Sequence, residues 1–150
     1  MPLSEGFEAP EEFKTYISNM ATYLRDETFH GEYDMNYIFS RFPHDDDKDS
    51  NGYFTQATIE ADTVYLNARI TIYPCMYDFY KAKDYKSIGK LMIHEISHLF
   101  LEPVAGLFMW DACESQKQHY NETIERQTQR ISTSIFRLLP KEWYLPKRIN

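Results

Sequence analysis

Lys90-Leu91-Met92-Ile93-His94-Glu95-Ile96-Ser97-His98-Leu99-Phe100-Leu101 sets two imidazoles four residues apart, with a carboxylate directly after the first. On a helix, His94 and His98 stand about 40° apart around the axis and about 6 Å apart along it, so both rings reach one common point. The helix is supported independently. Ile88, Leu91, Met92, Ile96, Leu99 and Phe100 recur three or four apart and form a stripe roughly opposite the histidines. One face therefore belongs to a core and the other carries the imidazoles. Asp84 or Ser87 can cap the start, and Glu102-Pro103 is the expected stop.

Two histidines one turn apart suit a single metal ion, and H-E-x-x-H on a helix is the pattern of zinc hydrolases. Glu95 is turned about 100° from His94, so it borders the metal face without pointing straight at the ion. A carboxylate there can take a proton from water whose pKa zinc has lowered to about 7. Zinc is therefore the expected cofactor and Glu95 the expected catalytic base.

Outward from this helix the sequence reads as one domain over residues 1–150. Its length suffices for a single core burying roughly 70% of the unfolded surface. The 12 tyrosines and 10 phenylalanines supply much of that buried area. A formal charge of −7 argues against a nucleic-acid partner, which favours a clustered basic surface. No apolar run approaches a membrane span, and Met1 to Lys14 lacks the pattern of a secretory signal. A soluble cytoplasmic protein is expected. Cys75 and Cys113 are too few for a disulfide framework or a cysteine metal site, and buried free thiols are expected.

From Pro10 to about Phe29 the spacing of Phe13, Tyr16, Ile17, Met20 and Leu24 predicts a packing helix. Tyr33 to Phe42, Tyr53 to Ala61 and Thr63 to Tyr73 read as strands. In the last, Val64, Leu66, Ala68, Ile70 and Ile72 share one face, and Pro74 ends it. Between the first two strands, Asp47-Lys48-Asp49-Ser50-Asn51-Gly52 matches the start of a calcium-binding loop. The match fails at its twelfth position, Thr58, so a solvated hairpin loop is the plainer reading. After the motif helix, Gly106 to Asp111 reads as an apolar loop or short hairpin. A long helix from about Ser115 to Leu139 follows, stopped by Pro140, with Tyr120, Ile124, Ile131, Ile135 and Leu138 on one side. The tail, Lys141 to Asn150, is expected to dock on the surface. This order predicts an α+β domain with a small antiparallel or mixed sheet.

A catalytic zinc ordinarily has three protein ligands and one open position. Leu101 and Val104 stand where a metzincin would place glycine and histidine, so the third ligand comes from elsewhere. The stretch His119-Tyr120-Asn121-Glu122-Thr123-Ile124-Glu125-Arg126 offers two glutamates on the long helix.

With His94-Glu95-Ile96-Ser97-His98 and the Asn121-Glu122 pair, the sequence resembles the gluzincin metallopeptidases, and more narrowly their small single-domain members from phage and bacterial genomes. The resemblance covers roughly residues 60–135. It implies a minimal zincin-like fold, peptidase activity, and zinc held by His94, His98 and Glu122, with Glu125 as the reserve ligand. The position four after Glu122, often acidic in that family, is Arg126. The resemblance also implies that strand 63–73 lies at the sheet edge and binds an extended peptide, although an ordinary interior strand fits the sequence equally well. The competing reading is a non-enzymatic domain in which zinc serves folding or partner binding.

Overall fold

The computed structural model describes residues 6–28, 30–45 and 55–146, with the side chain of Phe108 excepted. The Asp47-to-Gly52 loop and its calcium reading lie outside these residues. Among them are helix α1 (Glu11–Glu27), strands β1 (Asp34–Phe39), β2 (Ala57–Asp62) and β3 (Asn67–Ile72), and helices α2 (Cys75–Lys81), α3 (Tyr85–Met109) and α4 (Glu114–Leu138). The domain is α+β with a mixed three-stranded sheet in the order β1-β3-β2.

β3 pairs parallel with β1, Asp34 opposite Asn67 through Phe39 opposite Ile72, and antiparallel with β2, Ala57 opposite Ile72 through Asp62 opposite Asn67. It is therefore the central strand, with both edges already bonded. The expectation of an edge strand at 63–73 is corrected: an extended peptide cannot add there, and among the described residues β2 is an edge strand that neighbours the motif helix. The strand is also shorter than its hydrophobic pattern. The Asp62 carboxylate accepts from the amides of Val64 (3.0 Å) and Tyr65 (3.1 Å), and Leu66 takes a left-handed φ of 56°. This turn takes Val64, 80% exposed, out of the inner face that Ala68, Ile70 and Ile72 bury.

The core lies between the sheet, α1 and the first half of α3. It holds Phe13, Ile17, Met20 and Leu24 from α1, Ile70 and Ile72 from β3, and Ile88, Met92, Ile93, Ile96 and Leu99 from α3. Asp84 caps α3, accepting from the Ser87 amide (3.3 Å) and hydroxyl (2.7 Å). The helix does not stop at Glu102-Pro103; it runs through Pro103 to Met109. Proline removes one amide, the partner of the Leu99 carbonyl, but a single missing bond is tolerated in a helix that has a second helix lying along it. That second helix is α4, with which α3 makes its most extensive packing. Gly106 is therefore helical, where a loop is expected.

The tail is not a loose surface segment up to residue 146. Trp143 is 2% exposed, and the Tyr144 carbonyl accepts from the buried Tyr16 hydroxyl at 2.7 Å. This return crosses α3 at Gly89, where a Cβ would stand 2.8 Å from the Cβ of Tyr144. Cys75 is half-buried and Cys113 exposed, both as free thiols, so the expected burial of both is not met. Beyond the core the hairpin of α3 and α4 continues with no buried side chain among the described residues from 100 to 127. Leu107 (79% exposed) and Trp110 (85%) stand near its tip.

Candidate metal centre

α3 and α4 run antiparallel, because the pairs between them converge in sequence: His94 with Gln129, then His98 with Glu125. On α4, residues 125, 129 and 132 fall within about 60° of one another around the axis. Glu125 and Gln129 therefore point where the buried Ser132 points, towards α3.

Glu125 stands between the two histidines. His94 Nε2 lies 3.3 Å from its Oε2 and His98 Nε2 lies 3.3 Å from its Oε1, with the imidazoles nearly perpendicular at 88°. Charge-assisted hydrogen bonds run shorter, at about 2.7–2.9 Å. A tetrahedral zinc site with bonds of about 2.0–2.1 Å has neighbouring ligand atoms roughly 3.3–3.4 Å apart. Each contact has about that length, but the two reach different oxygens of Glu125; taking one donor atom from each of the three residues, all lie within 4.8 Å of one another. Two imidazoles and a carboxylate so gathered could hold a metal ion.

The tautomer of His94 follows from its neighbours. Gln129 Nε2 donates to Thr133 Oγ1 (3.4 Å), which turns its Oε1 to His94 Nδ1 at 2.9 Å. An amide oxygen only accepts, so Nδ1 carries the hydrogen and Nε2 presents its lone pair to the cluster. Burial lowers the pKa of His98, with Glu125 opposing and His94 adding to the fall. Its neutral form is the one a metal requires.

Glu95 lines the same cleft, a hollow of about 470 Å³ bounded by Thr55, Gln56 and Ala57 at the start of β2 and by Lys90, His94 and Gln129. Burial, and secondarily the Glu125 carboxylate, push its carboxyl up to about 8.

Glu122 is not in this group. It is exposed and accepts from Gln118 Nε2 at 3.4 Å. The carboxylate grouped with the two histidines is that of Glu125; Glu122 stands three residues, about 4.5 Å along α4, nearer the hairpin tip. Tyr120 and Asp111 line a different hollow, about 530 Å³ at the hairpin tip, and Glu114 pairs with Lys117 at 3.7 Å. Sequence reasoning missed Gln129. With Glu122 taken as the ligand, the position four residues on is Arg126, which donates instead to Thr123 (3.3 Å); counted from Glu125, it is Gln129.

The protein matches no protein-family profile, no curated protein and no solved structure, so the geometry of this centre stands as its own description.

Proposed function

We propose that this protein is a zinc-dependent peptidase. The observation that carries the reading is the gathering of His94, His98 and Glu125, with one donor atom of each within 4.8 Å of the others, beside a cleft that also contains Glu95. A divalent cation held by these three residues supplies a Lewis acid that polarises a carbonyl, makes water acidic near neutral pH, and offsets the Glu125 charge that raises Glu95.

Glu95 accepts the proton of the attacking water and passes it to the leaving amine. A carboxyl group that lines the cleft beside the metal group suits both halves of that task. Gln129 holds the His94 ring in the tautomer that leaves Nε2 free. β2, unpaired on its outer side among the described residues and beginning at the cleft wall, offers backbone groups to an extended substrate. A closed structural zinc would need a fourth protein donor, and among the described residues the group has three. This favours the enzymatic reading over a zinc that serves folding alone.

The test is metal content by plasma mass spectrometry on untagged protein, followed by turnover of a peptide library. The parent holds about one zinc per molecule. His94→Ala and Glu125→Ala lose it, and Glu122→Ala keeps it. Gln129→Ala weakens zinc affinity by about 10- to 100-fold. Glu95→Gln keeps zinc and loses turnover. A parent that takes up no zinc, or a Glu95→Gln variant as active as the parent, overturns the reading.

A further inference from the structure

The groove between α3 and α4 continues past the metal centre. Lys86, Lys90, His94 and His98 succeed one another at intervals of four along α3, and Arg137, Thr133, Gln129 and Glu125 do so in the opposite direction along α4. Each step of four advances about 40°, so neighbours in a row share a face, and Lys86, Lys90, Gln129, Thr133 and Arg137 line one hollow. At the end away from the hairpin tip, Lys86, Lys90 and Arg137 line a hollow of about 280 Å³ in which no lining residue is acidic. Lys90 and Gln129 border both this hollow and the metal cleft, so the two spaces adjoin.

Lys14, Arg25, Arg69, Lys81 and Lys117 each pair with a carboxylate, whereas Lys86, Lys90 and Arg137 pair with none among the described residues. The Lys90 ammonium lies 5.7 Å above the Phe136 ring, on the wall of the hollow. In a protein with 23 acidic and 16 basic residues, three unpaired cations around one concavity focus positive potential there. A guanidinium beside two ammonium groups suits a carboxylate, which arginine grips through two parallel N–H bonds.

We propose that this basic hollow binds a carboxylate of the substrate, so that the preferred peptide carries a negative charge two to four residues from the bond that is cut. The spacing follows from the helix. Lys90 and Lys86 lie about 6 and 12 Å along α3 from His94, and an extended peptide advances about 3.3 Å per residue. The inference rests on the peptidase reading. The carboxylate is either the C-terminus of the peptide or an aspartate or glutamate side chain.

The experiment uses the zinc-loaded full-length protein and ten-residue peptide libraries. One pair differs only in a free-acid or amidated C-terminus, and another only in Asp and Glu against Asn and Gln at internal positions. Carboxylate-bearing members are cleaved at least about tenfold more efficiently than their neutral counterparts, and the pair showing the difference names the source. In Lys90→Gln/Arg137→Gln the charged-to-neutral ratio falls to about one while zinc content stays at the parent level, and Lys90→Arg/Arg137→Lys restores it. Equal cleavage of charged and neutral peptides by the parent, or an unchanged ratio in the glutamine variant, overturns the proposal. A second arm measures anisotropy of labelled peptides on zinc-loaded Glu95→Gln. Charge-dependent binding that disappears with the added glutamines, without cleavage by the parent, upholds the hollow and sinks the peptidase reading. No charge-dependent binding together with no cleavage overturns both.

Discussion

Glu95 carries a cost that the metal-free protein has to bear. Its folded carboxyl keeps a proton up to about pH 8, while the unfolded polypeptide loses it near the ordinary value of 4.5. Between those values the folded state binds more protons, so stability falls as pH rises through the window and is unaffected below it. Glu95→Gln removes this dependence. Without metal at about pH 9 the glutamine variant is more stable than the parent by about 1–3 kcal/mol, and at about pH 4 the two are alike. Thermal unfolding at both pH values checks this, each kcal/mol being worth about 2–4 °C at this length; a parent equally stable at pH 9 contradicts it. At this scale the sequence was clear where the chemistry is local. His94, Glu95 and His98 are bound to one helix, and their spacing alone brings them to one cleft. The third donor comes from another helix, and its identity depends on how α4 is rotated against α3. The Asn121-Glu122 pair draws attention to a glutamate three residues before the one that stands with the histidines, and the residues that α4 buries on that side, Thr128 and Ser132, are small polar ones that no hydrophobic stripe would reveal.

At the scale of elements, helix α3 carries an unusual demand at Gly89. Helix propensity alone favours alanine there by about 1 kcal/mol. The tail stands in the way: a Cβ would meet Tyr144 Cβ at 2.8 Å and the Trp143 ring at 3.3 Å, and overpacking of this kind costs about 1–3 kcal/mol. Gly89→Ala therefore lowers the unfolding free energy by up to about 2 kcal/mol in urea denaturation, whereas propensity by itself predicts a gain. The elements were mostly legible from periodicity. α1, the capped start of α3 and the whole of α4 fall within one or two residues of their expected limits. The failures share a cause, which is that neighbouring elements overrule local signals. Pro103 reads as a stop until α4 lies alongside. Val64 reads as an inward residue until Asp62 closes the turn beneath it. The sequence of β3 suits an edge or an interior strand equally, and only its pairing with β1 decides between them.

Over the whole molecule, the described residues contain no helix long and apolar enough to cross a membrane. The protein divides instead into a packed body and a projecting hairpin. Among the described side chains, the last buried one in α3 is Leu99 and the first in α4 is Thr128. His98 and Glu125 stand at that boundary, one on each helix. Amides beyond it are protected only by the helices themselves, so they open without the body unfolding. A ligand shared by both helices at the boundary acts as a clasp across the base of the hairpin, and binding to the closed form alone stabilises it by mass action. Hydrogen exchange by mass spectrometry is therefore expected to run faster in residues 101–120 than in residues 88–99, and zinc is expected to slow the first group more than the second. Uniform protection along α3, with or without zinc, contradicts this. The same ion that activates water would then also decide how often the far half of the hairpin frays, making the motion of the tip a report on occupancy at its root.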